Sequence, residues 1–138
     1  MAGRAPDRPS PDALREAAWR AMARSHSPYS TFPVGAAIED EHGHVHVGAN
    51  IECVAYPLGA CAEATAIGHM VMAGGTRIRA VAVTAERLPG CTPCGGCRQR
   101  LAEFADADVP VYLCDGTQVI ETVTLGALLP KTFDAELA

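Results

Sequence analysis

The chain has no membrane-length apolar run: nothing in its 138 residues approaches the roughly 20 consecutive apolar positions of a spanning helix. The N-terminus, MAGRAPDRPSPDALREAAW, also lacks the apolar core of a secretory signal. A cytoplasmic protein with reduced thiols is therefore expected. Positive charge is scarce, with 11 Lys and Arg against 16 Asp and Glu for a formal net charge of −5. That balance argues against a polynucleotide partner, which a basic face would hold. A nucleotide-sized ligand stays open, because a small pocket needs only a few polar groups. There is no internal repeat, no interdomain linker and no low-complexity tract beyond the first residues. Residues 1–9, rich in Pro and Arg, are expected to be disordered, and residues 10–138 to form a single domain. At 49% hydrophobic residues, a chain of this length can bury one real core.

Helices and strands alternate along what remains. Ser10, Pro11 and Asp12 read as a helix start, and DALREAAWRAMARS keeps helical spacing until YSTFP breaks it. VGAAIE and HVHVGAN read as two strands joined by a DEHG turn. CAEATAIGHMVMAGG is helical and ends at Gly74 and Gly75. IRAVAVTA has the sparse polarity of a strand covered on both faces. After the loop ERLPGCTP come a helix over CGGCRQRLAEFA, strands over VPVYLC and TQVIETV, and a short helix over LGALLP. The order α-β-β-α-β-α-β-β-α predicts an α/β fold, a three-layer α/β/α sandwich on a mixed five-stranded sheet.

Six cysteines in a reducing compartment point to metal, catalysis or packing before disulfides. Cys94 and Cys97 stand three apart at a helix start, which puts both sulfurs on one face. Cys61 opens another helix and offers a third thiolate. Three protein ligands on zinc leave a fourth tetrahedral position for water, unlike a closed structural site. Glu63, two residues after Cys61, is placed to face that water and exchange a proton with it. Two other readings stay open on spacing alone. Cys94 and Cys97 fit a thiol-redox pair, and they fit half of a structural zinc module, for which Cys91 is the nearest further sulfur.

The segments CAEATAI and TPCGGCRQ resemble the cytidine deaminase family, in its small homotetrameric, three-cysteine form. SPYSTFPVGAAI, GANIECVAYPLGACAE and LLPKTF extend the resemblance along nearly the whole chain. It implies Zn²⁺ held by Cys61, Cys94 and Cys97, and hydrolysis of cytidine or 2′-deoxycytidine to the uridine form. Zinc hydroxide would attack C4 while Glu63 shuttles protons. It further implies that backbone N–H groups near Ala62 meet the pyrimidine carbonyl and that Phe32 packs on the base. Asn50 and Glu52 would hydrogen-bond the ribose 3′-hydroxyl. Tyr56 and Phe133 would serve sites shared between subunits of a homotetramer, in pyrimidine salvage. Modified cytosine nucleosides and blasticidin-type antibiotics are alternative substrates.

One position departs from the pattern. The family usually carries arginine after the glutamate, where this chain has Ala64. Three thiolates and Zn²⁺ sum to −1, which leaves three readings open: a nearby cation substitutes, with Arg98 beside Cys97 as the first candidate; the site tolerates the charge and runs slower or at higher pH; or the smaller side chain widens the pocket for a different amine. His42, His44 and His46 alternate along a strand, a pattern that fits a solvated face better than a metal stripe. Cys53, Cys91 and Cys114 read as small apolar residues.

Overall fold

The computed structural model describes residues 8–134. Residues 1–7, most of the stretch expected to be disordered, lie outside the described residues, as do 135–138. Arg8 is described, and its guanidinium donates to both carboxylate oxygens of the buried Glu39, at 2.7 and 2.9 Å.

Helix α1, Pro11–Met22, starts where the Ser10 hydroxyl accepts from the Ala13 N–H at 3.0 Å. Leu14, Ala18, Ala21 and Met22 recur at helical spacing and form its buried stripe. Strands β1, Val34–Asp40, and β2, Val45–Ala49, make the expected hairpin. Asp40 closes its turn, with Oδ1 accepting from the His42 and His44 N–H groups at 2.8 and 3.0 Å. Helix α2, Ala62–Met72, leads to β3, Ile78–Ala85. Helix α3, Gly95–Ala102, β4, Pro110–Cys114, β5, Val119–Thr124, and the short α4, Leu125–Leu128, complete the order.

The five strands form one sheet in the order β2-β1-β3-β4-β5. Only β3 and β4 run parallel; the other pairings are antiparallel, so the sheet is mixed as expected. Strand β3 lies at its centre with every residue but Arg79 buried, which explains its sparse polarity. Alternation along the strands separates two cores. Ala37, Ala80 and Ala82 meet Leu14 and Ala18 of α1 on one face. Ile38, Val81, Val83 and Leu113 meet Ala66, Met70 and Leu101 of α2 and α3 on the other.

Two glycines let these layers approach. A Cβ on Gly35 would lie 2.0 Å from the Ala18 carbonyl oxygen, so α1 rests directly on β1. A Cβ on Gly48 would lie 2.4 Å from both the Ala62 oxygen and the Ala66 nitrogen. The first turn of α2 therefore sits on the backbone of β2, and this contact sets where Cys61 and Glu63 stand. Gly48→Ala must push that turn outward. It is expected to destabilise the protein by about 2–3 kcal/mol in urea unfolding and to lower zinc content together with stability. Unchanged stability and zinc content would refute the contact's positioning role.

Candidate metal centre and substrate cleft

Two helix starts converge on one point. Cys61 is the N-cap of α2 and Cys94 the N-cap of α3, both with extended backbone (ψ 159° and 167°). Their carbonyls open the helices by accepting from the Thr65 and Arg98 N–H groups, but neither sulfur caps its own helix. The sulfurs face each other instead, 3.9 Å apart, and Cys97 joins them from the first turn of α3. All three lie within 4.8 Å of one another, the one such group of His, Cys, Asp or Glu side chains among the described residues. Tetrahedral zinc with bonds of about 2.3 Å would hold two sulfurs about 3.8 Å apart, so the donor set fits the ion. Cys91 is not in the group, although it is close enough to feel the charges of Glu63 and Cys94.

The three thiols share protons in the metal-free chain. The Cys61 thiol is lowered to about 6, chiefly because its sulfur accepts from Cys97 and then from Cys94; Arg100 adds to this and burial opposes it. Cys97 is pushed up for the mirror reason, since its proton is the one donated. Glu63 is 3% exposed. Burial raises its carboxyl to about 7 and the Cys61 charge adds to this, against bonds to its own N–H and to Cys97. A carboxyl poised near neutrality thus touches the sulfur cluster, a suitable setting for a group that both takes and returns a proton.

Beside the centre, Asn50, Ile51 and Glu52 form a short extended segment. Ile51 pairs with Ala60, the residue before Cys61, and the segment pairs with His26 on its other side. Asn50 uses its amide to hold the loop before β1. Its Oδ1 accepts from Val34 N–H at 2.9 Å and from the Ser25 hydroxyl, and its Nδ2 donates to the Phe32 carbonyl at 2.9 Å. Glu52 accepts from the N–H groups of Tyr29 and Ser30 at 3.0 and 3.1 Å and from the Ser30 hydroxyl, which keeps its pKa low. A cavity of about 260 Å³ opens here, lined by Tyr29, Ser30, Glu52, Cys53, Tyr56 and Gly59. Its lining contains neither the three cysteines nor Glu63.

Other residues singled out in the sequence are placed as follows. Phe32 is half-buried at the end of the same loop. Ala62 is fully buried in the first turn of α2. Tyr56 is 72% exposed and packs against Tyr29 with the rings tilted at 57°, centroids 5.8 Å apart. Phe133 is exposed and lines a different cavity beside Gln99, so its own chain does not bring it to the thiols. The Arg98 guanidinium is committed to two backbone carbonyls: its Nε donates to the Pro93 carbonyl at 2.8 Å and its Nη1 to the Leu128 carbonyl at 3.0 Å. The histidines are not a metal stripe. His42 and His44 are solvated, and the His46 ring bonds Asp40 at 2.7 Å.

Sequence reasoning missed the scaffold of the loop. Thr31 has a left-handed backbone (φ 52°), a conformation costing a β-branched residue about 1–2 kcal/mol. Arg87 Nη1 restrains it by donating to its carbonyl and hydroxyl oxygens at 3.1 and 3.0 Å. Nothing local in YSTFP signals a partner 56 positions away.

The family model described as cytidine and deoxycytidylate deaminase zinc-binding region matches residues 10–113. The chain belongs to this family. A cytidine deaminase of Sporosarcina psychrophila is 43% identical over 117 residues, 85% of this chain and 86% of that protein. One from Halalkalibacterium halodurans is 42% identical over 123 residues, 89% and 93% of the two chains. The crystal structure of cytidine deaminase from Burkholderia pseudomallei superposes with a TM-score of 0.83 at 37% identity, covering 88% of this chain and 98% of that one. The domain is thus a zinc-binding one of the deaminase class, on the α/β fold expected from sequence.

Glu63 titrates near 7 in the folded chain against an ordinary 4.5, so ionising it costs folding free energy as pH rises between these values. In the metal-free protein, Glu63→Gln should add about 2–3 kcal/mol of stability at about pH 8, an advantage that fades below about pH 5. Denaturant unfolding at both pH values measures this. Equal stability of the two proteins at the higher pH would mean that the carboxylate is not desolvated.

Proposed function

We propose that residues 10–138 act as one zinc-dependent deaminase domain that hydrolyses cytidine and 2′-deoxycytidine to uridine, 2′-deoxyuridine and ammonia. The observation that carries this reading is a buried carboxyl, Glu63, against three sulfurs gathered from two helix starts. The names of the relatives support the same chemistry. Cys61, Cys94 and Cys97 would hold zinc, which when bound supplies a Lewis acid that activates water for attack at C4 of the pyrimidine.

The remaining work falls to the chain. Glu63 takes the proton from water and delivers protons to ring N3 and the departing amine. Its pKa near neutrality suits both transfers. Backbone N–H groups near Ala62, in the first turn of α2, donate to the pyrimidine carbonyl. Phe32 packs on the base. The second Nδ2 hydrogen of Asn50 and the carboxylate of Glu52 take the ribose 3′-hydroxyl, with both side chains already held by the Ser25–Val34 loop.

Tyr56 and Phe133, both largely exposed, complete sites shared in a homotetramer. The exposed Val54, Leu58 and Met72 supply apolar area for that assembly. The enzyme serves pyrimidine salvage in the cytoplasm. All six cysteines are free, in keeping with a reducing compartment. No helix among the described residues is long and apolar enough to cross a membrane. A nucleoside rather than a polynucleotide suits the net charge of −5.

Zinc-loaded protein is expected to consume cytidine and deoxycytidine, followed as loss of cytosine absorbance. Glu63→Gln should keep its zinc and lose about 10²- to 10⁴-fold in kcat. Silence of the wild type with zinc bound, or full activity of the variant, would overturn the assignment.

A further inference from the structure

The loop that carries Phe32 makes one backbone turn that its own residues disfavour. Thr31 stands in the left-handed region (φ 52°), where a β-branched side chain is strained. The turn has a consequence on either side. It folds the Phe32 N–H back onto the Ser30 hydroxyl oxygen at 3.0 Å, and that hydroxyl donates its own proton to Glu52. Glu52 also accepts from the N–H groups of Tyr29 and Ser30, and both residues line the cavity of about 260 Å³ with it. The aromatic assigned to the base and the carboxylate assigned to the sugar are thus joined through one strained residue.

What holds that residue comes from outside the loop. Arg87 lies two positions past the last rung of the β1–β3 ladder, where Val34 pairs with Ala85. Its backbone is therefore carried by the end of the central, buried strand. From there its Nη1 donates to the Thr31 carbonyl and hydroxyl oxygens at 3.1 and 3.0 Å. Both acceptors are neutral and both belong to the strained residue. Arg87 is itself exposed, so an ordinary solvated arginine is the competing reading. That reading predicts no effect of its removal on ligand binding.

Resting on the deaminase reading, we propose that Arg87 is a positioning residue for the nucleoside: from the end of β3 it keeps Thr31 in the left-handed turn, and so keeps Phe32 and Glu52 set for base and sugar before the ligand arrives. Without it, Thr31 relaxes towards ordinary backbone, the Phe32 N–H leaves the Ser30 hydroxyl, and the loop must be ordered each time a nucleoside binds. That cost falls on ground state and transition state alike, so it weakens binding and spares the chemical step.

In zinc-loaded protein, Arg87→Met should raise KM for cytidine about fivefold to tenfold, with kcat within about twofold of the wild type. Thr31→Asn in the Arg87→Met background should bring KM back to within about twofold, because asparagine adopts the left-handed region several-fold more readily than most residues. Amide exchange, read without substrate, should speed up about tenfold at Tyr29, Ser30 and Phe32 in Arg87→Met and stay unchanged in β3. An unchanged KM, or a raised KM that Thr31→Asn does not relieve, would overturn the proposal, and so would unchanged exchange in the loop. If loop exchange rises as expected while the wild type consumes no nucleoside, the deaminase reading fails and the hold of Arg87 on the cleft loop stands.

Discussion

The contact between β2 and the first turn of α2 is the constraint on which the rest depends. With no side chain at Gly48, the Ala62 carbonyl and the Ala66 nitrogen come into van der Waals range of the strand backbone. A helix held this closely cannot slide or tilt, so its start is fixed relative to the sheet. Cys61 caps that start and Glu63 lies one residue inside it. The second helix, α3, is anchored less by its own sequence. Gly95 and Gly96 open it, their Cβ positions meet nothing, and glycine is a poor helix former. Its start is tied down by Cys94 and Cys97 at the sulfur cluster and by Arg98, which links Pro93 to the end of α4. One side of the centre is built by packing, and the other needs its ligands and a long side chain to stay in place.

That arrangement is costly without a metal. A nearly inaccessible carboxyl is pushed towards neutrality, and three sulfurs share protons within 4.8 Å. The same burial that makes Glu63 unfavourable as an ion brings its proton affinity to the range where transfer in both directions is easy. Under the proposed role of Glu63, function and stability pull in opposite directions at this residue, as is common where a site holds an ionisable group away from water.

The cleft beside it carries a second double use. Asn50 and Glu52, which the proposed function assigns to the sugar hydroxyls, both bind the backbone of the loop that carries Phe32. Their side chains are locked before any ligand arrives, which lowers the ordering cost of binding. The strained Thr31 and its restraint by Arg87 belong to the same device.

Much of this was legible in the chain itself. Apolar periodicity, Ser10 before Pro11, and the glycines after α2 marked the elements to within a few residues, because these signals are local. Cys61, Glu63, Cys94 and Cys97 stood out for the same reason: their spacing at two helix starts is a one-dimensional pattern with a direct chemical meaning. What the sequence determined by itself, then, was the order of elements and the ligand types at each helix start. That Arg98 reaches the Pro93 and Leu128 carbonyls was not legible, since only the packing of α3 against α4 brings those partners to it. Nor could the chain announce that Gly48 meets Ala62, or that Arg87 holds Thr31. These depend on distances between segments far apart in sequence, and only the tertiary structure, by closing β2 against α2 and the loop against the sheet, decided them.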